Sequence, residues 1–316
     1  PVLQNPIGVG SAFEGWSAHE DDSIYCFLVP LKPPHGHTFN LELVTAGEMP
    51  ARNFYINVEL VCTCTTQQQV EKMQCLLHQP QEKLMGLSLL QTLCTGPYLD
   101  VQKTAHWFSQ SVEEVMKALP RFVQRHLKVL PSNRSCKFQV TKRKERVFKI
   151  EVIFGVQEGD SDIFLSSQMA QATFTSSTMW PESYAVAEVK FFKHMAMQAP
   201  FISLHLACLQ TFDSILKSTS FSTYAFKTVM MHLMITPPFS SQIRSNILMQ
   251  MHSVMRYLHC CLKQTYLNHF FYGNRNVPEE IVLPLDFRTA EPLNLFQHLA
   301  QDPKSYAKAC RDFMNL

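Results

Sequence analysis

The sequence predicts an α+β fold, with a mixed α/β half over residues 1–172 and an all-helical half over residues 180–316. Three observations lead there. The first 64 residues hold short apolar and alternating runs punctuated by Pro and Gly, the pattern of strands and turns. Cys136–Val140 and Val147–Val156 alternate as a second strand pair. Beyond a Ser/Thr-rich loop, Thr173–Met179, apolar residues recur at helical spacing and no convincing strand is found.

Taken in order, Ile7–Val9 is an apolar strand that runs into the Gly10-Ser11 turn. Ile24–Leu31 is nearly all apolar and reads as a strand buried on both faces, ended by Pro30 and Pro33-Pro34. Phe39–Leu43 alternates with one wet face. Asn53–Cys64 alternates too, with Phe54, Ile56, Val58, Leu60, Cys62 and Cys64 on one side. The period then changes. Val70–Leu77 reads as a short helix, and Asp100 as the N-cap of a longer one. Val101, Ala105, Phe108, Val112, Val115, Met116 and Leu119 line its apolar face until Pro120 interrupts. In the later strand, Phe148, Ile150, Val152 and Phe154 share one face, and Lys149, Glu151 and Ile153 the other. Asp160–Ser166 is a candidate further strand. Trp180–Ala196, Leu204–Leu216, Tyr224–Ile235 and Ser245–Tyr266 read as helices, and Pro278–Leu316 as a Pro-marked loop and a closing helix.

At 46% hydrophobic and 17% charged, 316 residues suffice for a large core. Net charge +2 leaves no footprint of a nucleic-acid binder, and no nucleic acid is expected as a partner. The basic run Lys142–Arg146 reads as a solvated hairpin tip. Ten cysteines lack disulfide-framework spacing and suit a reducing compartment. Asn133-Arg134-Ser135 matches a glycosylation tripeptide common enough to arise by chance. No apolar run reaches spanning length and no signal peptide is present. The chain starts at Pro1 beside a strand, which reads as the start of a fragment and leaves an upstream membrane anchor open.

Cys62-x-Cys64 and Cys75-x-x-His78 are the metal candidates. Residues i, i+2 share a strand face and i, i+3 share a helix face, so together they offer a closed Cys3His zinc site. Against it, Cys62 and Cys64 extend an apolar face and would pack as small hydrophobes. In His259-Cys260-Cys261 the two cysteines read as core cysteines. His232, His252 and His269, among apolar helical residues, read as satisfied or partly exposed histidines. No Walker A, dinucleotide, Gly-x-Ser-x-Gly or His-Glu-x-x-His motif occurs.

Gly10-Ser11, the acidic loop and apolar strand after it, and Glu151 in a later strand resemble the three-part signature of the Mab-21 family. Those are nucleotidyltransferase-fold proteins related to cyclic GMP-AMP synthase. Trp180-Pro181-Glu182-Ser183-Tyr184 with Glu188 is similar to the segment that opens their helical half. A narrower resemblance is to the inositol 1,4,5-trisphosphate receptor-interacting protein family, whose like-1 subgroup fits best. It is carried by Ile7–Ser11 with Glu14 and Trp16, Val29-Pro30 with Pro33-Pro34, and Leu93-Cys94 with Leu99-Asp100. His269-Phe270-Phe271 with Gly273-Asn274 also matches, as does Ala290–Phe296. Similar Cys-x-Cys and Cys-Leu-x-His segments in relatives support the zinc set. The resemblance implies an N-terminal single membrane span before this domain, a position on the cytoplasmic side, and protein partners. Those partners are the inositol trisphosphate receptor for one member and a T-cell receptor signalling subunit for another.

In that fold Gly10 and Ser11 would cradle a phosphate, and acids at i and i+2 of one strand would share two Mg²⁺ with a third on a neighbouring strand. Asp22 suits the first position and Glu151 the third. The second falls on Ile24, which has no oxygen to offer a metal. Glu20 and Asp22 have the right parity but lie in the loop around Asp21. The expectation is therefore a degenerate nucleotidyltransferase, not an enzyme, with no cofactor required beyond the candidate zinc. Its work would be protein–protein contact with a membrane receptor, the domain itself being soluble and held to the membrane by a preceding segment. Two alternatives stand beside it: an active nucleotidyltransferase making a nucleotide second messenger, and a scaffold binding a nucleotide or inositol phosphate without turnover.

Overall fold

The computed structural model describes residues 1–17, 24–44, 52–64, 89–124, 126–141, 147–168, 176–198, 202–216, 219–236 and 246–316. It is a mixed α+β protein. In chain order the elements are β1 (Val2–Leu3), β2 (Ile7–Val9), α1 (Ser11–Glu14), β3 (Ile24–Lys32), β4 (His37–Leu43), β5 (Asn53–Leu60), α2 (Leu89–Thr92), β6 (Cys94–Thr95), β7 (Tyr98–Leu99), α3 (Val101–Ala118) and α4 (Arg121–Gln124). There follow β8 (Leu127–Leu130), β9 (Cys136–Thr141), β10 (Val147–Gln157), β11 (Phe164–Ser166), β12 (Met179–Ser183), α5 (Ala185–Gln198), α6 (Ile202–Leu216), α7 (Thr223–Ile235), α8 (Ile247–Gln264), α9 (Gln297–Gln301) and α10 (Pro303–Met314). The helix expected at Val70–Leu77 and the Lys142–Arg146 run lie outside the described residues.

Two compact units share these elements. The sheet unit takes residues 1–9, 24–159 and 163–186; the helical unit takes 10–23, 160–162 and 187–316. In the sheet unit the strand order is β1-β3-β10-β11-β12-β5-β7-β6, with β2 also on β3, β4 on β5, and β8-β9 extending from β10. β3 and β10 run parallel in register, Ile24 opposite Lys149 and Cys26 opposite Glu151. Because side chains alternate along a strand, Val29 and Leu31 on β3 and Phe154 and Val156 on β10 pack on one face with Ile56, Leu99 and Trp180. Val9, Leu28, Ile153 and Phe164 form a smaller cluster. Asp100 caps α3 by accepting the Lys103 N–H at 3.0 Å, and its other oxygen accepts the hydroxyls of Thr95 and Ser177 at 2.7 and 2.6 Å. The helix stops before Pro120, which disfavours helical backbone in the residue preceding it.

Two expectations change. Trp180–Ser183 is not the first turn of a helix but part of β12, which pairs antiparallel with β5 and β11. Trp180, Glu182 and Tyr184 are the buried residues there, so the alternation was hidden by a carboxylate standing on the inward face. And β5 ends at Leu60, so Cys62 and Cys64 lie beyond the strand and are exposed instead of extending its apolar face. Asp160–Ser166 contributes only the short β11.

The helical unit buries Phe191, Phe192, Phe226, Phe270, Phe271 and Phe287. α7 is buried at nine of its 13 positions, and Lys227 is the one Lys among them. Among the described residues no helix is long and apolar enough to cross a membrane.

Candidate functional site

Gly10 has φ +80° and ψ −177°, a backbone conformation essentially confined to glycine, and among the described residues an added Cβ would meet nothing within 4 Å. Among the described residues, glycine is needed there for the turn and not for close approach by a neighbour. The turn opens α1, whose single helical turn carries Glu14 inward. There the Trp16 indole N–H donates to Glu14 Oε2 at 2.6 Å, and the Lys227 ammonium sits 3.1 Å from Oε1. Lys227 also donates to Glu188. All three charged residues are buried. Burial alone would lower the Lys227 ammonium, but the two carboxylates reverse that and hold it above its ordinary value. Burial raises the Glu188 carboxyl, Glu14 raises it further, and Lys227 opposes both. The Gln210 side-chain amide donates to the Ser17 carbonyl at 3.1 Å and fastens the end of the segment. Thus Glu14 and Glu188, far apart in sequence, meet at one lysine, and Trp16 supports Glu14. Lys227 escaped sequence reasoning; its signal was a lone charge in an otherwise apolar helix.

In the sheet unit, Ile24, Cys26, Lys149 and Glu151 share one face by register. Ile24 is 50% exposed. Glu151 accepts the Ser135 hydroxyl at 2.7 Å and pairs with Lys137, its cross-strand partner, at 3.5 Å. Ser135, the hydroxyl residue of the glycosylation tripeptide, is thus buried in this network. Burial, then Glu151, push the Cys26 thiol up to about 12, against a smaller opposite pull from Lys137, so it carries no thiolate near neutrality. Asp22, with Glu20 and Asp21, lies outside the described residues. So do Cys75 and His78, which leaves Cys62 and Cys64 as the placed half of the zinc set.

The remaining signature residues are placed with clear partners. Trp180 donates its indole N–H to the Leu99 carbonyl at 2.9 Å. Glu182 receives Nε and Nη2 of Arg52 on one oxygen at 3.0 and 2.7 Å, and the Tyr184 hydroxyl on the other at 2.5 Å. Arg52, a second residue that sequence reasoning missed, precedes β5 with no motif to flag it. His269 accepts the Phe271 N–H at Nδ1, so Nε2 carries the proton toward the Tyr224 hydroxyl, 2.6 Å away. Burial, with His232 adding, pushes its pKa down to about 3 and keeps it neutral. His232 donates to the Asn268 carbonyl, and His259 stacks on Phe313.

The two C-terminal signatures grip one another. Asn294 accepts the Leu267 and Phe296 N–H groups and donates to the Thr265 carbonyl, each at 2.9 Å. The His269 N–H reaches the Leu293 carbonyl at 2.8 Å. Gly273 has φ +63°, and an added Cβ would stand 2.7 Å from the Ala290 carbonyl oxygen and 3.0 Å from Pro292. Backbone cannot yield as a side-chain tip can. Gly273→Ala is therefore expected to cost at least about 1–2 kcal/mol from conformation alone, with overlap adding more. The urea midpoint is the readout; an unchanged midpoint would show that the clasp tolerates the methyl.

No protein-family model matches the chain. Over an alignment of 331 residues it is 32% identical to inositol 1,4,5-trisphosphate receptor-interacting protein-like 1 of Rattus norvegicus, covering 100% of this chain and 60% of that protein. The Mus musculus protein of the same name is 32% identical over 329 residues, with the same coverage. Inositol 1,4,5-trisphosphate receptor-interacting protein of Homo sapiens is 28% identical over 339 residues, 99% of this chain and 62% of that protein. The chain thus spans about three-fifths of the length of the curated relatives it matches.

Proposed function

This chain belongs to the inositol 1,4,5-trisphosphate receptor-interacting protein family, and on that premise we propose that it is a non-catalytic domain on a nucleotidyltransferase-like, Mab-21-like scaffold that acts by protein–protein contact in receptor signalling. The partner class follows the relatives' names: a membrane receptor, with the inositol trisphosphate receptor as first candidate. We place the domain on the cytoplasmic side of a membrane protein, held by a single span outside these residues. Relatives longer than this chain and a cysteine usage suited to a reducing compartment support that placement.

The observation that carries the reading is the sheet face around Glu151. Nucleotidyl transfer on such a face needs several carboxylates converging on two divalent ions. Here a half-exposed Ile24 stands in line with Cys26, and Glu151 is already engaged by Ser135 and Lys137. Lys149 adds a second cation to the face. Mg²⁺ binds oxygen ligands in strict octahedral geometry and is repelled by cations. Incubation with nucleoside triphosphates, Mg²⁺ or Mn²⁺, and nucleic acid is expected to yield no nucleotide product. Turnover that vanishes in Glu151→Ala would replace this reading with the active-enzyme one. Metal analysis of the purified chain decides the Cys62, Cys64, Cys75 and His78 set: zinc at one per chain assigns it, and its absence dismisses it.

A further inference from the structure

β4 is an open edge of the sheet. It pairs with β5 over its whole length and, among the described residues, with no other strand. The bonds just beyond its two ends fix which backbone groups point where. Val61 donates to the Gly36 carbonyl at 2.9 Å, and Val44 to the Asn53 carbonyl at 2.8 Å. Hydrogen-bonded pairs recur at every second residue of an antiparallel ladder, so Thr38, Asn40 and Glu42 turn their backbone groups to β5. His37, Phe39, Leu41 and Leu43 turn theirs outward. Among the described residues those outward groups meet no backbone partner, save the His37 N–H, which donates to the Pro34 carbonyl at 3.1 Å. The side chains leave the edge open too. Phe39 and Leu41 are only partly buried against the core, and Leu43 is 48% exposed. An unpaired edge is a template for a further strand, and sheets guard it with short strands, Lys or Pro. The other edges here are guarded: β1 and β6 have two residues each, β2 three, and β8 four, with Lys128 inside it and Pro131 behind. β4 has seven residues and neither Lys nor Pro.

We infer that β4 pairs antiparallel with β4 of a second copy of this chain, joining two sheets about a two-fold axis at Asn40. An open edge binds extended backbone, which excludes a helix or a bilayer as the occupant. The strand's own sequence selects which extended segment. With Asn40 opposite its counterpart, all seven residues overlap. Phe39 then stands opposite Leu41 and His37 opposite Leu43, each through outward groups on both strands, which gives about six ladder hydrogen bonds. Their side chains lie on the core face and cover the half-open rim of both cores. On the other face Thr38 stands opposite Glu42, so no like charges meet across the axis. Asn40 itself is exposed. A carboxamide carries both a donor and an acceptor, so two of them satisfy one another on the axis and fix the register. The pairing is independent of the non-catalytic reading, because the face of Glu151 lies on other strands.

The test is sedimentation velocity on the full chain across ~1–100 μM, where a dimer is expected to form as concentration rises. Asn40→Lys and Asn40→Asp each set like charges opposite one another on the axis and should weaken dimerisation about fivefold. An equal mixture of the two should recover it, because opposite charges then meet. Leu41→Pro deletes an outward N–H on each copy and should weaken it at least about tenfold. Gln264→Lys, exposed on α8, should leave it within about twofold. If Leu41→Pro fails to fold by circular dichroism, the Asn40 set decides alone. A chain that stays monomeric overturns the inference and leaves the edge to a strand of another protein. So does a dimer indifferent to the Asn40 variants, or a mixture no stronger than its components. Glu151-dependent turnover would end the non-catalytic reading and leave the dimer result standing.

Discussion

Lys227→Met is expected to cost the protein about 3–5 kcal/mol, the penalty for leaving buried carboxylates without their counter-charge. Methionine fills the space, so the loss is electrostatic. Glu14 and Glu188 remain in the interior, with the Trp16 indole still donating to Glu14. The pH dependence follows from Glu188. Burial raises its carboxyl, Glu14 adds to the rise, and Lys227 holds it down. Removing Lys227 lifts it further. A carboxyl raised on folding contributes stability that is fully present below its unfolded value and is lost as pH rises through its folded value. The variant's deficit should therefore be smallest below roughly pH 4–5 and widen toward neutrality. Denaturant unfolding of both chains across that range is the measurement. A deficit independent of pH would mean that Lys227 acts through packing alone. The companion variant Glu14→Gln, Glu188→Gln, Lys227→Met removes all three charges and should recover most of the loss, since replacing a whole buried ionic cluster is often neutral or stabilising.

Trp180→Ala should be of similar size. The side chain is completely buried among Phe54, Leu99, Phe154 and Leu165, and deleting a buried Trp costs about 3–5 kcal/mol through lost contacts and the cavity that remains. It also leaves the Leu99 carbonyl without its 2.9 Å donor beside the first turn of α3. Trp180→Phe separates the contributions: most of the volume stays, and the missing hydrogen bond alone costs about 1–3 kcal/mol. If Trp180→Ala unfolds within about 1 kcal/mol of wild type, the site collapses without a cavity and the packing argument is wrong.

Strands with one apolar and one polar face were legible because alternation is local. So was the Asp100 cap, since a capping side chain serves an N–H three residues away. β12 was not. Its inward residues include Glu182, whose carboxylate is buried under Arg52 and Tyr184, and a buried charge breaks the pattern from which strands are read. Arg52 is 130 residues distant from Glu182, and no local pattern announces that pairing. The end of β5 was misplaced because Cys62 and Cys64 keep the parity of an apolar strand, while exposure is decided by neighbours the sequence does not name. At the candidate site, period two put Ile24 in line with Asp22, and it is the parallel register of β3 and β10 that brings Ile24 onto the face of Glu151. What the sequence could not give was how Glu151 is spent: Ser135 lies 16 residues back on the preceding strand arm, and only pairing brings it near.

The ion cluster also imposes an order on synthesis. Glu14 leaves the ribosome 213 residues before Lys227. At about 5–20 residues per second, it waits roughly 10–40 s for its counter-charge. During that time the Gly10–Ser17 segment has no helical unit to join, and Trp16 stays solvated. α7 therefore completes a turn made 213 residues before it. Nascent chains halted before α7 should show the segment open to protease, and release of α7 should close it.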